Sequence, residues 1–276
     1  MVGVVLAVIG SFFSEIFDLI GKVEIKKKEE GIFMMAFLSF FLAPFWFLVL
    51  IIYRGEFLFS IASLPTFTFR LIFEIFQVYI TILAISKSER STFGFVRTLT
   101  IPLLLIVDLF LGYSLSNWQI GGIILISLAL FILFLNHGVK KRGLGLVFLS
   151  ALGSVVTVSL YKYNITNFNS VEAEQFVLSL LLAILFFFLT IIFEKRNPLR
   201  LIFKPALLIQ AMAVGFGGTL HSLAFVFAPA SVVTAAIRSG SVFWSLISGR
   251  LYFHEKKLIL KITSFVLILI GMFLFL

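Results

Sequence analysis

Cysteine is missing from the chain, which excludes disulfides, thiol catalysis and a thiolate metal site. Charge is scarce: Asp, Glu, Lys and Arg make up 13% of the 276 residues, where a soluble domain carries about 25%. Histidine occurs three times, at 137, 221 and 254, and no Asp-rich or paired-acid motif accompanies it. A membrane-embedded enzyme would need such a cluster, so the expectation is that the chain is not an enzyme and binds no cofactor. There is no P-loop and no polar stretch long enough for a soluble domain, which excludes an ATP-driven pump within this chain. The opening residues MVGVVLAVIGSFFS carry no charge. A lysine run follows them instead of a small-residue cleavage site, so they read as a first membrane span and not as a cleavable signal.

What the chain has in abundance is apolar residues. They make up 61% of the sequence, 36 of them Phe, and runs of about 20 recur from end to end, each long enough to cross a ~30 Å hydrocarbon core as a helix. The fold class expected is an all-α integral membrane protein. Turn residues and charges divide it into ten spans, at 2–21, 31–53, 65–86, 91–112, 116–136, 143–163, 171–193, 204–226, 229–252 and 258–276. The connections are short, so neighbouring spans run antiparallel. The formal charge of +9 then reflects loop charge that sets topology, with the lipid bilayer and a small molecule as partners and no nucleic acid. Seventeen Lys and Arg fall in the loops of one side and three, Arg54, Arg70 and Lys162, on the other, with Arg97 and Arg238 inside spans. The positive-inside rule places the first group in the cytoplasm and both termini outside.

Folded near residue 140, the halves 1–137 and 143–276 match weakly but repeatedly. LIGKVEI at the end of span one lies over SLYKYNI at the end of span six, with Lys22 over Lys162. AISKSERSTFGFVRT (84–98) lies over AFVFAPASVVTAAIR (224–238), which puts Arg97 within one position of Arg238, and 112–135 lies over 254–276. Five spans per half is an odd number, so the halves are expected to be inverted repeats, the architecture of secondary transporters. These features resemble the drug/metabolite transporter superfamily, EamA type. Where that family carries a Glu before a Gly-rich last helix, the second half has Glu255 and the first has Tyr113; Pro102 keeps a family proline that Val242 or a neighbour replaces in the second half. The resemblance implies a carrier of small metabolites or drugs in the cytoplasmic membrane, often an exporter, driven by protons or by exchange. It also implies cytoplasmic termini, against the charge count. Monomer and homodimer both remain open.

A charge at the bilayer centre costs about 2.5–3.5 kcal/mol, so ionisable residues inside spans point to a protein interior or a water-filled path. Ser11, Glu15, Asp18 and Lys22 share one helix face. Lys22 is placed to neutralise Asp18; Glu15 has no basic partner on its own helix and is a candidate proton carrier or a structural acid. Span three presents Arg70, Glu74, Gln77 and Thr81, with Arg70 and Glu74 spaced to pair (i, i+4) and Gln77 facing inward. Span eight offers Gln210 and His221, a proton relay or a packing residue. Span nine carries Ser231, Thr234, Arg238, Ser241, Ser245 and Ser248 on one stripe. Arg97 and Arg238 form either a site for a carboxylate or phosphate, or counter-ions for Glu15, Asp18 and Asp108. Tyr161, with Lys162 beside it, and Trp244 could stack a flat substrate or simply pack. Glu29, Glu30, Glu172 and Glu174 read as solvated loop charge, Glu255 as a partner of Lys256 or Lys257, and Asn164-Ile-Thr166 as a sequon. The function expected is a secondary transporter working by alternating access; the alternatives are a flippase for a lipid-linked substrate on the same fold, or a membrane-embedded enzyme.

Overall fold

The computed structural model describes residues 2–27, 30–110, 116–135, 141–228, 230–255 and 258–274. Tyr113, Pro229, Lys256, Lys257, Glu29 and His137 lie outside them, and so does the side chain of Asp108. The described residues form thirteen α-helices and no strand: α1 (Val2–Lys26), α2 (Ile32–Phe41), α3 (Ala43–Arg54), α4 (Leu64–Lys87), α5 (Arg90–Arg97), α6 (Thr100–Phe110), α7 (Asn117–Leu135), α8 (Leu144–Asn167), α9 (Val171–Glu194), α10 (Pro198–Leu201), α11 (Pro205–Phe227), α12 (Ala230–Phe253) and α13 (Leu258–Phe273). Eight helical stretches are long and apolar enough to cross a membrane, and the large apolar side chains they expose are mostly Phe, Ile, Leu and Val. The chain is a multi-pass membrane protein.

Two of the expected spans are broken, each where a proline dictates it. The second splits at Leu42 into α2 and α3, with Pro44 in the first turn of α3; Pro44 has no N–H to continue the ladder of α2. The fourth splits at Thr98–Leu99 into α5 and α6. Pro102 withholds an N–H there, and the local carbonyls are taken instead by hydroxyls, Thr98 Oγ1 on Phe95 O (2.6 Å) and Thr100 Oγ1 on Arg97 O (2.7 Å). The break leaves Arg97 at the last position of α5. α12 has no proline in its interior, and its 24 residues run unbroken through Arg238.

Packing follows a pattern. α1 lies against α11 and α12, while α8 lies against α4, α5 and α6; α2 and α3 pack on α9, and α7 packs on α13. Small residues set the closest approach: a Cβ on Gly217 would lie 2.9 Å from Gly10 O, so the α1 and α11 backbones touch where both are glycine. One end of the bundle gathers Lys22, Lys87, Arg90, Glu30, Glu194 and Glu255, the basic face. The other gathers Arg54, Arg70, Lys162, Glu172 and Glu174.

Several charges read as solvated are buried. Glu172 and Glu174 are 1% and 0% exposed in the first turn of α9, where helix N–H groups favour carboxylates. Each takes an arginine, Arg54 Nη1 on Glu172 Oε1 and Arg70 Nη1 on Glu174 Oε1, both at 2.6 Å. Arg70 therefore reaches across to α9 and does not pair with Glu74 one turn on. Asn164 is buried too, its amide on Glu174 (2.9 Å) and its carbonyl oxygen accepting from Thr66 (2.6 Å), so the sequon holds a structural asparagine. Glu30 is buried at the basic face and accepts from Gln210 at 3.3 and 3.4 Å. Burial pushes its carboxyl well above the ordinary range; the Gln210 hydrogen bond opposes this, and Glu24 and Glu194 add to it.

Candidate functional site

Between α1, α4, α5, α8, α11 and α12 lies a cavity of about 350 Å³. It brings together seven of the ten candidate residues: Glu15, Asp18, Gln77, Arg97, His221, Arg238 and Ser241. The other three lie elsewhere. Gln210 serves Glu30. Tyr161 is sealed in the wall, its hydroxyl donating to Ser222 O (3.1 Å) and its ring under the Arg70 guanidinium at 4.5 Å. Lys162 donates to Phe225 O and Ala228 O at the end of α11. Trp244 packs on Phe12 and Phe243, so neither Trp244 nor Tyr161 faces the cavity.

Glu15 has a partner after all, and it comes from another helix. Arg90 Nε and Nη2 lie 3.1 and 2.6 Å from its two oxygens, and the same Nη2 is 2.9 Å from Asp18 Oδ2. Ser248 adds a 2.5 Å hydrogen bond to Glu15. Arg90 is only 1% exposed, although it reads in the sequence as loop charge. Its spacing held the clue: Arg90 and Arg97 stand seven apart, on one face of α5. Lys22, expected to neutralise Asp18, instead donates to Ser88 O at the end of α4 and lies 5.1 Å over the Phe253 ring.

Glu255 fixes the start of α5. Its carboxylate accepts from Arg90 N (2.7 Å), from the Ser91 hydroxyl and from Lys261 Nζ (3.0 Å). Burial pushes that carboxyl up, but these donors outweigh it and hold it below the ordinary value.

Arg97 and Arg238 are not counter-ions of Glu15 or Asp18 in this structure. Arg97 Nη2 donates to Ser154 Oγ (2.6 Å) and Arg238 Nε to Thr100 Oγ1 (3.1 Å), and among the described residues neither has a carboxylate within ion-pair reach. Gln77 joins Arg97 on Ser154 (2.8 Å). His221 lies 3.2 Å from Ala7 O; since a carbonyl only accepts, Nε2 carries the proton and Nδ1 is left to accept. Glu74, expected to pair with Arg70, lines the cavity with Thr157 as its hydrogen-bond partner.

A second cavity of about 360 Å³ opens at the basic face among Lys22, Lys26, Lys87 and Arg142, with Glu89 and Glu255 beside them. Among the described residues no group of three or more His, Asp or Glu is arranged to hold a metal ion. Neither the models of known protein families nor the sequences of curated proteins contain a match to this chain.

Proposed function

We propose that the chain is a secondary transporter: ten spans in two inverted five-helix halves that carry a small solute across the cytoplasmic membrane by alternating access, with export the expected direction. The central cavity carries this reading. A charged, hydroxyl-lined space enclosed by apolar helices is costly to maintain in a bilayer and serves a path for a polar solute. Its walls come from both halves, as expected for a site at a repeat interface.

The packing supports the inverted repeat. Exchanging the halves turns the contact of α1 with α11 and α12 into that of α8 with α4 and α5–α6, and it leaves the α2–α9 and α7–α13 pairs unchanged. Lys22 and Ser88 stand 140 positions before Lys162 and Ala228, and each lysine donates to its carbonyl. One such contact closes the basic face and the other the opposite face. On this reading the likeness to EamA-type carriers extends to Glu255, which anchors the start of α5.

The test uses the absence of cysteine. A Ser241→Cys variant places a single thiol in the cavity, and a membrane-impermeant maleimide is applied from each side of sealed vesicles in turn. Labelling from both sides is expected. Labelling from one side alone would rule out alternating access.

A further inference from the structure

We infer that the cavity takes a small organic anion bearing one negative charge, held by Arg97 and Arg238; this rests on the transporter reading for its route but not for its chemistry. A guanidinium has five N–H donors in a planar fork suited to an oxyanion. Each of these two spends one on a hydroxyl, Arg97 on Ser154 and Arg238 on Thr100. Arg97 Nε is buried without a partner, and Arg238 is 8% exposed. Donors of this strength left open in a low-dielectric space point to a ligand that accepts from them.

The surrounding charges define that ligand further. Arg90, Arg97 and Arg238 face the cavity against Glu15, Asp18 and Glu74. Both Glu15 and Asp18 turn to Arg90, which leaves two arginines without an ion pair and one such carboxylate, Glu74. Among the described residues the formal charges of the whole cavity cancel, but they are unevenly placed. The Arg90–Glu15–Asp18 group carries one negative unit in excess, and Arg97 and Arg238 with Glu74 carry one positive unit. A monocarboxylate bound there balances it and a phosphate dianion overshoots. An organic cation bound there would meet two guanidiniums with a single carboxylate, Glu74, set against them. The vestibule at the basic face adds Lys22, Lys26, Lys87 and Arg142 against Glu89 and Glu255, a net positive mouth that concentrates anions from that side. A volume of about 350 Å³ lies at the small end of small-molecule sites, which limits the ligand to roughly one ring.

Three one-ring probes separate the charge classes: benzoate, phenyl phosphate and benzylamine, each titrated at pH 7.5 into the purified full-length protein with the unfolding midpoint as readout. Benzoate is expected to raise the midpoint saturably, phenyl phosphate to bind more weakly, and benzylamine to have no effect. Arg97→Gln and Arg238→Gln are each expected to weaken benzoate at least tenfold, and Arg238→Lys to recover part of the loss because it keeps the charge without the fork. The inference is overturned if benzoate has no effect on the wild type, if benzylamine binds in its place, if phenyl phosphate binds more tightly, or if both Gln variants bind benzoate as the wild type does. Benzoate binding in a protein whose Ser241→Cys thiol is labelled from one side only would uphold the anion site and remove the transporter. Two-sided labelling without benzoate binding would do the reverse.

Discussion

Truncating Arg90 would strand a buried carboxylate, Glu15, and a partly buried one, Asp18, that now share its guanidinium. Breaking a buried pair from one side costs ~3–5 kcal/mol because the partner charge remains. Arg90→Leu is therefore expected to lower the unfolding midpoint sharply, and adding Glu15→Gln to restore part of it; an additive double variant would show that the pair is not coupled. The same pairing shifts the role of Glu15, which the sequence offered as a lone acid available to carry protons, towards holding α5 against α1. Glu30 gives a titration test. Its folded-state pKa lies well above the ordinary 4.5, so the folded protein binds the proton more tightly than the unfolded chain, and the stability that comes from this is complete below about 4.5. It is lost as pH rises from there through the raised value. Glu30→Gln should flatten that decline in an unfolding series from pH 4 upward; an unchanged slope would mean that Glu30 is not its source.

At the scale of the helix, the break between α5 and α6 is the informative feature. Pro102 stands in the first turn of α6, where proline is tolerated; Pro102→Ala returns an N–H that lets α5 and α6 join into one helix, so the variant is expected to be modestly more stable. It also draws Thr98 and Thr100 back into the ladder, and with them the hydroxyl that holds Arg238. The expected result is a higher unfolding midpoint together with weaker benzoate binding; a gain in both would separate the break from the site. The all-helical, multi-pass character was legible from apolar run length, and so was the polar face of α12, which carries Arg238 and Ser241 to the cavity. The unlike pairing was not. Arg70 has Glu74 one turn away and yet bonds Glu174, 104 positions on, because that carboxylate lies at the buried start of α9. A run of acids at a helix start looks the same in a sequence whether it faces water or an arginine from a distant helix.

For the molecule as a whole, Lys22, Lys26, Lys87 and Arg142 line one mouth, and the 17-to-3 division of the loop cations is the ground for expecting that face in the cytoplasm. A reporter active only in the cytoplasm is expected to be dark when fused to the C-terminus; a bright one would invert the topology and bring the chain into line with the habit of the family it resembles. The two lysine contacts have a consequence for energetics. On the transporter reading, Lys22 and Lys162 act as weights on the two pans of a balance: each stabilises closure of its own mouth, and in the ratio of the two open populations their contributions oppose one another. The tilt then also draws on what is not duplicated, the Arg90–Glu15–Asp18 group on one pan and the Arg54–Glu172 and Arg70–Glu174 pairs on the other. Lifting one weight tips the beam. Lys22→Met is expected to speed maleimide labelling of Ser241→Cys from the basic face and Lys162→Met from the opposite face. The double variant, labelled faster from both, should bring the ratio of the two rates back towards that of the parent.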